Sequence, residues 1–146
     1  RRPPGSTLFP YTTLFRSGQV LVYLMVRPPE PGEASFDLYE KEKREILGEL
    51  AARARLLAEG LNRIPGYSCA PITGAMYAYP RIKLPFGRSD SEYCLALLEE
   101  TGICLVPGEG FGQVEGSAHF RTTILPPREQ LHQVLEKLEN FHRRWR

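Results

Sequence analysis

Apolar residues recur every three or four positions over residues 46–61, which indicates the buried stripe of an amphipathic helix. Ser35 can cap the start of this helix, and Pro65 with Gly66 would end it. The pattern therefore predicts one long helix in the first half of the chain. The stripe consists of Ile46, Leu47, Leu50, Ala54, Leu57, Ala58 and Leu61.

Two shorter helices are predicted in the second half. Ser89 and Glu92 have the spacing of a capping box, and Gly102 suits the position just after a helix end. Pro126 and Pro127 precede the last helix. The apolar faces of these two helices comprise Tyr93, Cys94, Leu97, Leu98 and Thr101, and then Leu131, Val134, Leu135, Leu138, Phe141 and Trp145.

Four strand-like segments occupy intervals between these helices. The second contains Pro80, which a sheet tolerates at an edge or at a strand end. In the last, alternation places Phe120 and Arg121 on opposite faces. This order of elements predicts an α/β two-layer domain with helices packed on a small mixed sheet. The segments are 67–70, 75–82, 103–106 and 118–125.

The N-terminal region is harder to interpret. Residues 18–26 form a short apolar run that suits a strand or a helix equally well. Residues 1–29 lack Asp and Glu, as mitochondrial targeting segments do, but early prolines break the amphipathic helix that targeting needs. Part of this region also resembles translated sequencing adapter. We predict a non-native or disordered leader over 1–17, followed by one domain over 18–146.

Composition narrows the class of protein. The chain has 146 residues, of which 42% are hydrophobic and 25% charged, an ordinary globular balance. A net charge of +2 is too small to indicate nucleic acid or an anionic membrane as partner, and no apolar run is long enough to span a bilayer. The three cysteines are odd in number and form no CxxC pair, which argues against an even disulfide framework and against a four-ligand zinc site. We expect a reducing compartment, cytoplasmic or mitochondrial.

Two features could carry chemistry. Gly108, Gly110 and Gly112 let the backbone approach a ligand closely, although an ordinary turn at a strand end also explains them. Arg121 stands mid-strand, where an unpaired charge is costly. A guanidinium on a rigid strand suits bidentate recognition of a carboxylate or phosphate, and a surface arginine is the alternative. The three histidines lack metal-ligand spacing, so no metal site is expected.

Four strings of the sequence resemble the alanine aminotransferases, which are pyridoxal-phosphate-dependent enzymes of fold type I. The resemblance runs over 18–146 and favours a helix for the apolar run near the N-terminus. It implies the small C-terminal domain, which closes over the substrate. For the complete enzyme it implies a homodimer with pyridoxal 5'-phosphate that moves an amino group between alanine and 2-oxoglutarate. The strings are 74–81, 97–104, 106–113 and 119–127.

The resemblance assigns one residue role directly. Arg121 matches the family arginine that clamps the substrate α-carboxylate, and loop 107–112 lies nearby with a supporting role. The family's Schiff-base lysine, its pyridinium-pairing aspartate and its main phosphate ligands lie upstream of the matched region. The resemblance therefore implies an enzyme fragment that is inactive alone.

Two other functions remain open at this point. The chain could be a stand-alone, non-catalytic α/β module that binds a small carboxylate ligand or a protein partner. The third possibility is an interaction domain that uses its basic C-terminal tail.

Overall fold

The computed structural model describes residues 9–145. The chain divides into two compact units, Arg1–Glu45 and Ile46–Arg146. Of the predicted leader, residues 1–8 lie outside the described residues, and the remainder belongs to the first helix. The elements are α1 (Phe9–Val26), α2 (Phe36–Arg63), β1 (Tyr67–Ser68), β2 (Tyr77–Ala78), β3 (Arg81–Ile82), α3 (Asp90–Thr101), β4 (Val106–Pro107), a 3-10 turn (Gly108–Phe111), β5 (Ala118–Thr123) and α4 (Arg128–Trp145).

Helix α1 decides between the two readings of the apolar run at 18–26. The run is helical, as the family resemblance favoured. Its large apolar side chains, at 20–26, are all between 45% and 81% exposed, so this stretch has little burial of its own. None of the described helices is both long and apolar enough to cross a lipid bilayer.

One antiparallel ladder organises the sheet of the second unit. Tyr77 lies opposite Thr123 and Arg81 lies opposite His119, so β2 and β3 share a single register along β5. Strand β4 pairs with the other edge of β5, and β1 extends the sheet beyond β3. The spatial order is therefore β1, the β2–β3 line, β5 and β4.

Pro80 explains why the predicted strand 75–82 is split in two. Its carbonyl accepts a hydrogen bond from the Phe120 amide at 3.2 Å, but a proline has no N–H to return. The paired line continues on both sides of this gap in the same register. The prediction of Pro80 at a strand end is thus confirmed.

The sheet is antiparallel throughout the described residues, so the predicted mixed sheet was wrong on this point. Hydrophobic alternation specifies which face a residue takes, but it does not specify strand direction. The rest of the predicted fold class, an α/β two-layer arrangement, is confirmed.

The core lies between one sheet face and helices α2, α3 and α4. Phe120 and Ile124 are buried, whereas Arg121, which the alternation placed on the face opposite Phe120, is not. The predicted stripe of α2 is buried only in its second half. Its first two residues, Ile46 and Leu47, are 61% and 56% exposed. The main helical residues of the core are Ala54, Leu57, Ala58, Leu61, Tyr93, Cys94, Leu97, Leu131, Leu138 and Phe141.

Helix α3 has the predicted capping at both ends. The Ser89 hydroxyl accepts from the Glu92 amide at 3.1 Å, and the Glu92 carboxylate accepts from the Ser89 amide at 3.0 Å. Gly102 ends the helix in the left-handed region at φ 75°. These caps place Asp90, the first residue of α3, at a fixed position near the sheet.

An ion-pair network joins α2 to the start of α4. The Glu49 carboxylate accepts from both Arg53, at 3.1 Å, and Arg128, at 2.6 Å and 3.0 Å. Arg53 also donates to the Leu125 carbonyl at 2.7 Å. Hydrogen bonding from Arg128, and then from Arg53, holds the pKa of Glu49 below its usual 4.5.

We expect Glu49→Gln to lower stability at pH 7, because both arginines lose a charged acceptor. Since the folded-state pKa is lowered, the contribution of Glu49 is present above pH 4.5 and disappears as the pH falls through that lower value. Urea midpoints of wild type and variant should therefore converge in acid. Glu59→Gln is the control, because Glu59 makes a looser pair with Arg63 at 3.8 Å. Equal losses in both variants would contradict this role.

Candidate functional site

The face of the sheet opposite the core carries the candidate site. The ladder register sets Tyr79 across from Arg121, with Tyr77 and His119 on the same face because side chains of paired residues point the same way. Val106 of β4 adds a neighbour to Arg121 from the other edge of β5. This face is only partly covered, and Arg121 itself is half-buried.

The Arg121 guanidinium lies against two aromatic rings. Its Cζ atom is 4.7 Å from the ring centroid of Tyr77 and 4.7 Å from that of Phe111. Within residues 9–145, it forms no ion pair and no side-chain hydrogen bond, whereas Arg53 and Arg128 are both paired with Glu49. A half-buried guanidinium in this state keeps its N–H donors available for an external acceptor. A carboxylate or phosphate is the ligand that its fork geometry suits.

The three glycines of the loop have different surroundings. At Gly108, an added Cβ would lie 2.7 Å from the Tyr79 hydroxyl and 2.8 Å from the His119 Cβ, so no side chain fits there. Gly112 has φ +68°, which favours glycine, and no atom lies near its Cβ position. Gly110 has open space and no unusual φ. Only Gly108 and Gly112 thus have a structural need for glycine.

A polar and aromatic network holds this loop against the sheet. The Tyr79 hydroxyl donates to the Gly108 carbonyl at 3.1 Å, and the Tyr79 ring stacks on the His119 ring at 4.9 Å. Tyr79 also makes an edge contact with Phe111 at 5.8 Å. Tyr79 therefore connects the loop, the strand and the ring that covers Arg121.

Asp90 supports this network from the N-terminus of α3. Its buried carboxylate accepts from Gln113 Nε2 at 2.6 Å and from the His119 amide at 3.4 Å. Because the Nε2 atom of Gln113 donates to Asp90, the Oε1 atom of Gln113 is the one that faces His119 Nδ1, at 3.0 Å. An amide oxygen can only accept, so the proton lies on Nδ1 of His119. The helix N-terminus favours the negative charge of Asp90.

The structure brings Arg121 and the loop together through Phe111, not through a glycine. Sequence reasoning did not identify Tyr77, Phe111, Tyr79 or Asp90 as site residues. The first three lie on the predicted strand or loop, but only strand pairing and contacts between distant segments show that they lie near Arg121.

A concave surface lies at the β1–β3 edge, separate from Arg121. This groove has a volume of about 790 Å³, and Arg81, Lys83 and Arg88 contribute its cationic lining. Glu109 and Gln113 also reach it, so the loop borders both surfaces. No group of three or more potential metal ligands occurs in the described part of the chain.

The lysines do not fit the requirements of a covalent cofactor site. A Schiff-base lysine must reach its cofactor as a free amine. Lys43 is bound to Glu40, whose hydrogen bond and charge raise the lysine pKa, and Lys137 donates to the Thr101 carbonyl at 3.3 Å. Lys41 pairs with Glu45 on the α2 surface, and Lys83 lies at the β1–β3 groove.

Comparisons with known proteins identify the family of this chain. The sequence model of a family described as "Aminotransferase class I and II" matches residues 33–138. The chain is 52% identical over 135 residues to "Alanine aminotransferase 1" of Homo sapiens. This aligned region covers 86% of this chain and 27% of that protein. The chain thus spans about a quarter of the length of the curated relatives it matches.

Two solved structures show the same fold. The alanine aminotransferase of Pyrococcus furiosus superposes with a TM-score of 0.64 at 34% identity, over 69% of this chain and 25% of that one. A PLP-dependent aminotransferase of Streptococcus suis has a TM-score of 0.64 at 25% identity, over 77% of this chain and 29% of that one.

We expect Gly108→Ala to destabilise the second unit by about 1–3 kcal/mol, because the new methyl group overpacks Tyr79, His119 and Gln113. Urea unfolding followed by tryptophan fluorescence measures this loss. Gly110→Ala is the matched control, since its Cβ meets open space, and a change within about 0.5 kcal/mol is expected. A loss in the control as large as that at Gly108 would refute the difference between the two glycines.

Proposed function

The chain belongs to the aminotransferase class I and II family, and from this we propose that it forms the substrate-carboxylate-binding part of a pyridoxal-phosphate-dependent alanine aminotransferase. The proposed reaction converts L-alanine and 2-oxoglutarate into pyruvate and L-glutamate. The observation that carries the proposal is the half-buried Arg121, whose donors are uncommitted on the open sheet face. Relatives at about 50% identity that are named alanine aminotransferases support the choice of substrates.

Arg121 would bind the α-carboxylate that every amino-acid and 2-oxo-acid substrate carries. Two parallel N–H···O bonds fix the plane of the carboxylate, and with it the direction of the amino or oxo group on the next carbon. Because the reacting group is already oriented in the bound substrate, less entropy is lost on reaching the transition state. The arginine therefore lowers the reaction barrier as well as binding substrate. The glycines at 108 and 112 act indirectly, by shaping the turn that carries Phe111.

Pyridoxal phosphate would supply the electron sink for amino-group transfer in the complete enzyme. The lysines of this chain do not fit its attachment, as their contacts place none of them beside Arg121. We therefore assign cofactor attachment and proton transfer to polypeptide beyond this segment.

The proposal extends to assembly and location. The family resemblance supports a homodimer for the complete enzyme. Cys69, Cys94 and Cys104 are free thiols, which supports a reducing compartment such as the cytoplasm. A mitochondrial location has its support in the name of a Dictyostelium discoideum relative, "Probable alanine aminotransferase, mitochondrial".

We expect Arg121→Lys in the complete enzyme to reduce kcat/KM about a hundredfold, which corresponds to about 3 kcal/mol, because a lysine cannot make both hydrogen bonds to the carboxylate. Steady-state assays with alanine and 2-oxoglutarate measure this effect. Arg55→Lys, on the exposed side of α2, is the control and should leave kcat/KM unchanged. Near-wild-type efficiency of the Arg121 variant would overturn the role assigned to it.

The purified 146-residue chain should show no transamination with added pyridoxal phosphate, because it offers no lysine suited to hold the cofactor. Pyruvate release from alanine and 2-oxoglutarate measures this directly. A complete relative serves as the positive control. Turnover by the pure chain would show that the catalytic groups lie within it, against the proposal.

A further inference from the structure

The two rings that contact Arg121 come from opposite sides of its strand. Tyr77 belongs to β2, which pairs with one edge of β5. Phe111 ends the 3-10 turn that follows β4, and β4 pairs with the other edge. The two contacts have the same length, 4.7 Å from the guanidinium carbon to each ring centroid. The guanidinium is thus flanked by aromatic rings from two different elements.

Neighbouring structure positions both residues that carry the rings. The pairing of Tyr77 with Thr123 fixes the backbone of Tyr77 beside Arg121. Phe111 is held by the edge contact with Tyr79, whose hydroxyl bonds the loop at Gly108.

Flanking rings restrain an arginine without using its hydrogen-bonding capacity. The attraction between a cation and a ring face acts without an acceptor atom, so the N–H groups stay available. An acidic neighbour would also restrain the guanidinium, but a ligand carboxylate would then have to displace it. An arginine side chain free in solvent has to be ordered when it binds, at a cost in affinity. The arrangement at Arg121 avoids both costs.

We propose that Tyr77 and Phe111 are positioning residues, which hold the Arg121 guanidinium ready for the substrate carboxylate. This inference rests on the proposed carboxylate-binding role of Arg121. The rings touch the arginine and act through it, so their main effect falls on substrate affinity and a smaller one on turnover.

The geometry is tested first, on the 146-residue chain, by NMR of the arginine Nε–Hε groups. Ring currents from Tyr77 and Phe111 should shift the Arg121 Hε resonance, and Tyr77→Leu or Phe111→Leu should each remove part of that shift. Phe86→Leu is the matched control, because the Phe86 ring is fully exposed in the loop before α3. Amide spectra show whether each variant is folded, and the half-exposed positions of Tyr77 and Phe111 favour tolerance of leucine.

The effect on function is tested in the complete enzyme. Each leucine variant should raise KM for alanine and for 2-oxoglutarate roughly two- to tenfold, the range that a cation–π contact supports. The value of kcat should fall less. Tyr77→Phe keeps an aromatic ring at this position, so its KM values should stay close to those of the wild type. A merely structural role would lower the amount of active enzyme and leave KM unchanged.

The outcomes separate this inference from the proposed function. Two results would overturn the positioning role while leaving the arginine assignment intact. One is a wild-type KM in the leucine variants, and the other is an Arg121 Hε resonance that stays at its wild-type position in them. Full activity of Arg121→Lys would instead overturn the proposed function and, with it, the purpose assigned to the rings. A raised KM in both leucine variants, together with a near-wild-type KM in Tyr77→Phe, supports the positioning role and the proposed function.

Discussion

The antiparallel pairing of β5 with the β2–β3 line determines where the side chains of the candidate site lie. Because one register runs through both short strands, alternate residues separate cleanly into a core face and an open face. Phe120 and Ile124 fall on the first, and Tyr79 and Arg121 on the second. A slip of one residue would exchange the two sets and bury the guanidinium in the core. The site therefore depends on the same pairing that builds the hydrophobic core.

The candidate site is an arginine with aromatic rather than acidic neighbours. Most ion-paired arginines in the described part of the chain lie on helix surfaces, where pairing with a glutamate costs little desolvation. Arg121 differs because it projects from a strand and because, within residues 9–145, its guanidinium contacts two aromatic rings and pairs with no carboxylate. Asp90 lies close enough to organise His119 and Gln113, yet its hydrogen bonds face them and not the guanidinium. Negative charge is thus present in the supporting network but kept away from the donors.

The sequence predicted helices α2, α3 and α4, the capping box of α3 and the separation of Phe120 from Arg121 on β5, because each of these depends on local spacing or on periodicity. It identified Arg121 for a similar reason, since a charge inside a strand is conspicuous. Strand direction and register depend on contacts between distant segments, and no local pattern encodes them. The mixed sheet was predicted wrongly on that account, and Tyr77 and Phe111 were missed although both stood in predicted elements. Ile46 and Leu47 show the opposite error, since helical periodicity continues beyond the part of α2 that has something to pack against.

The uncommitted guanidinium of Arg121 has a consequence for selectivity. A carboxylate is common to all amino acids and oxo acids, and equally to protein C-termini and acidic side chains. A receptor for it, however well oriented, discriminates little among them. In the proposed enzyme, the choice of alanine over larger amino acids must come from walls that other polypeptide supplies around the side-chain end of the substrate. This sheet face would then provide general recognition, and the remaining protein would exclude the wrong substrates.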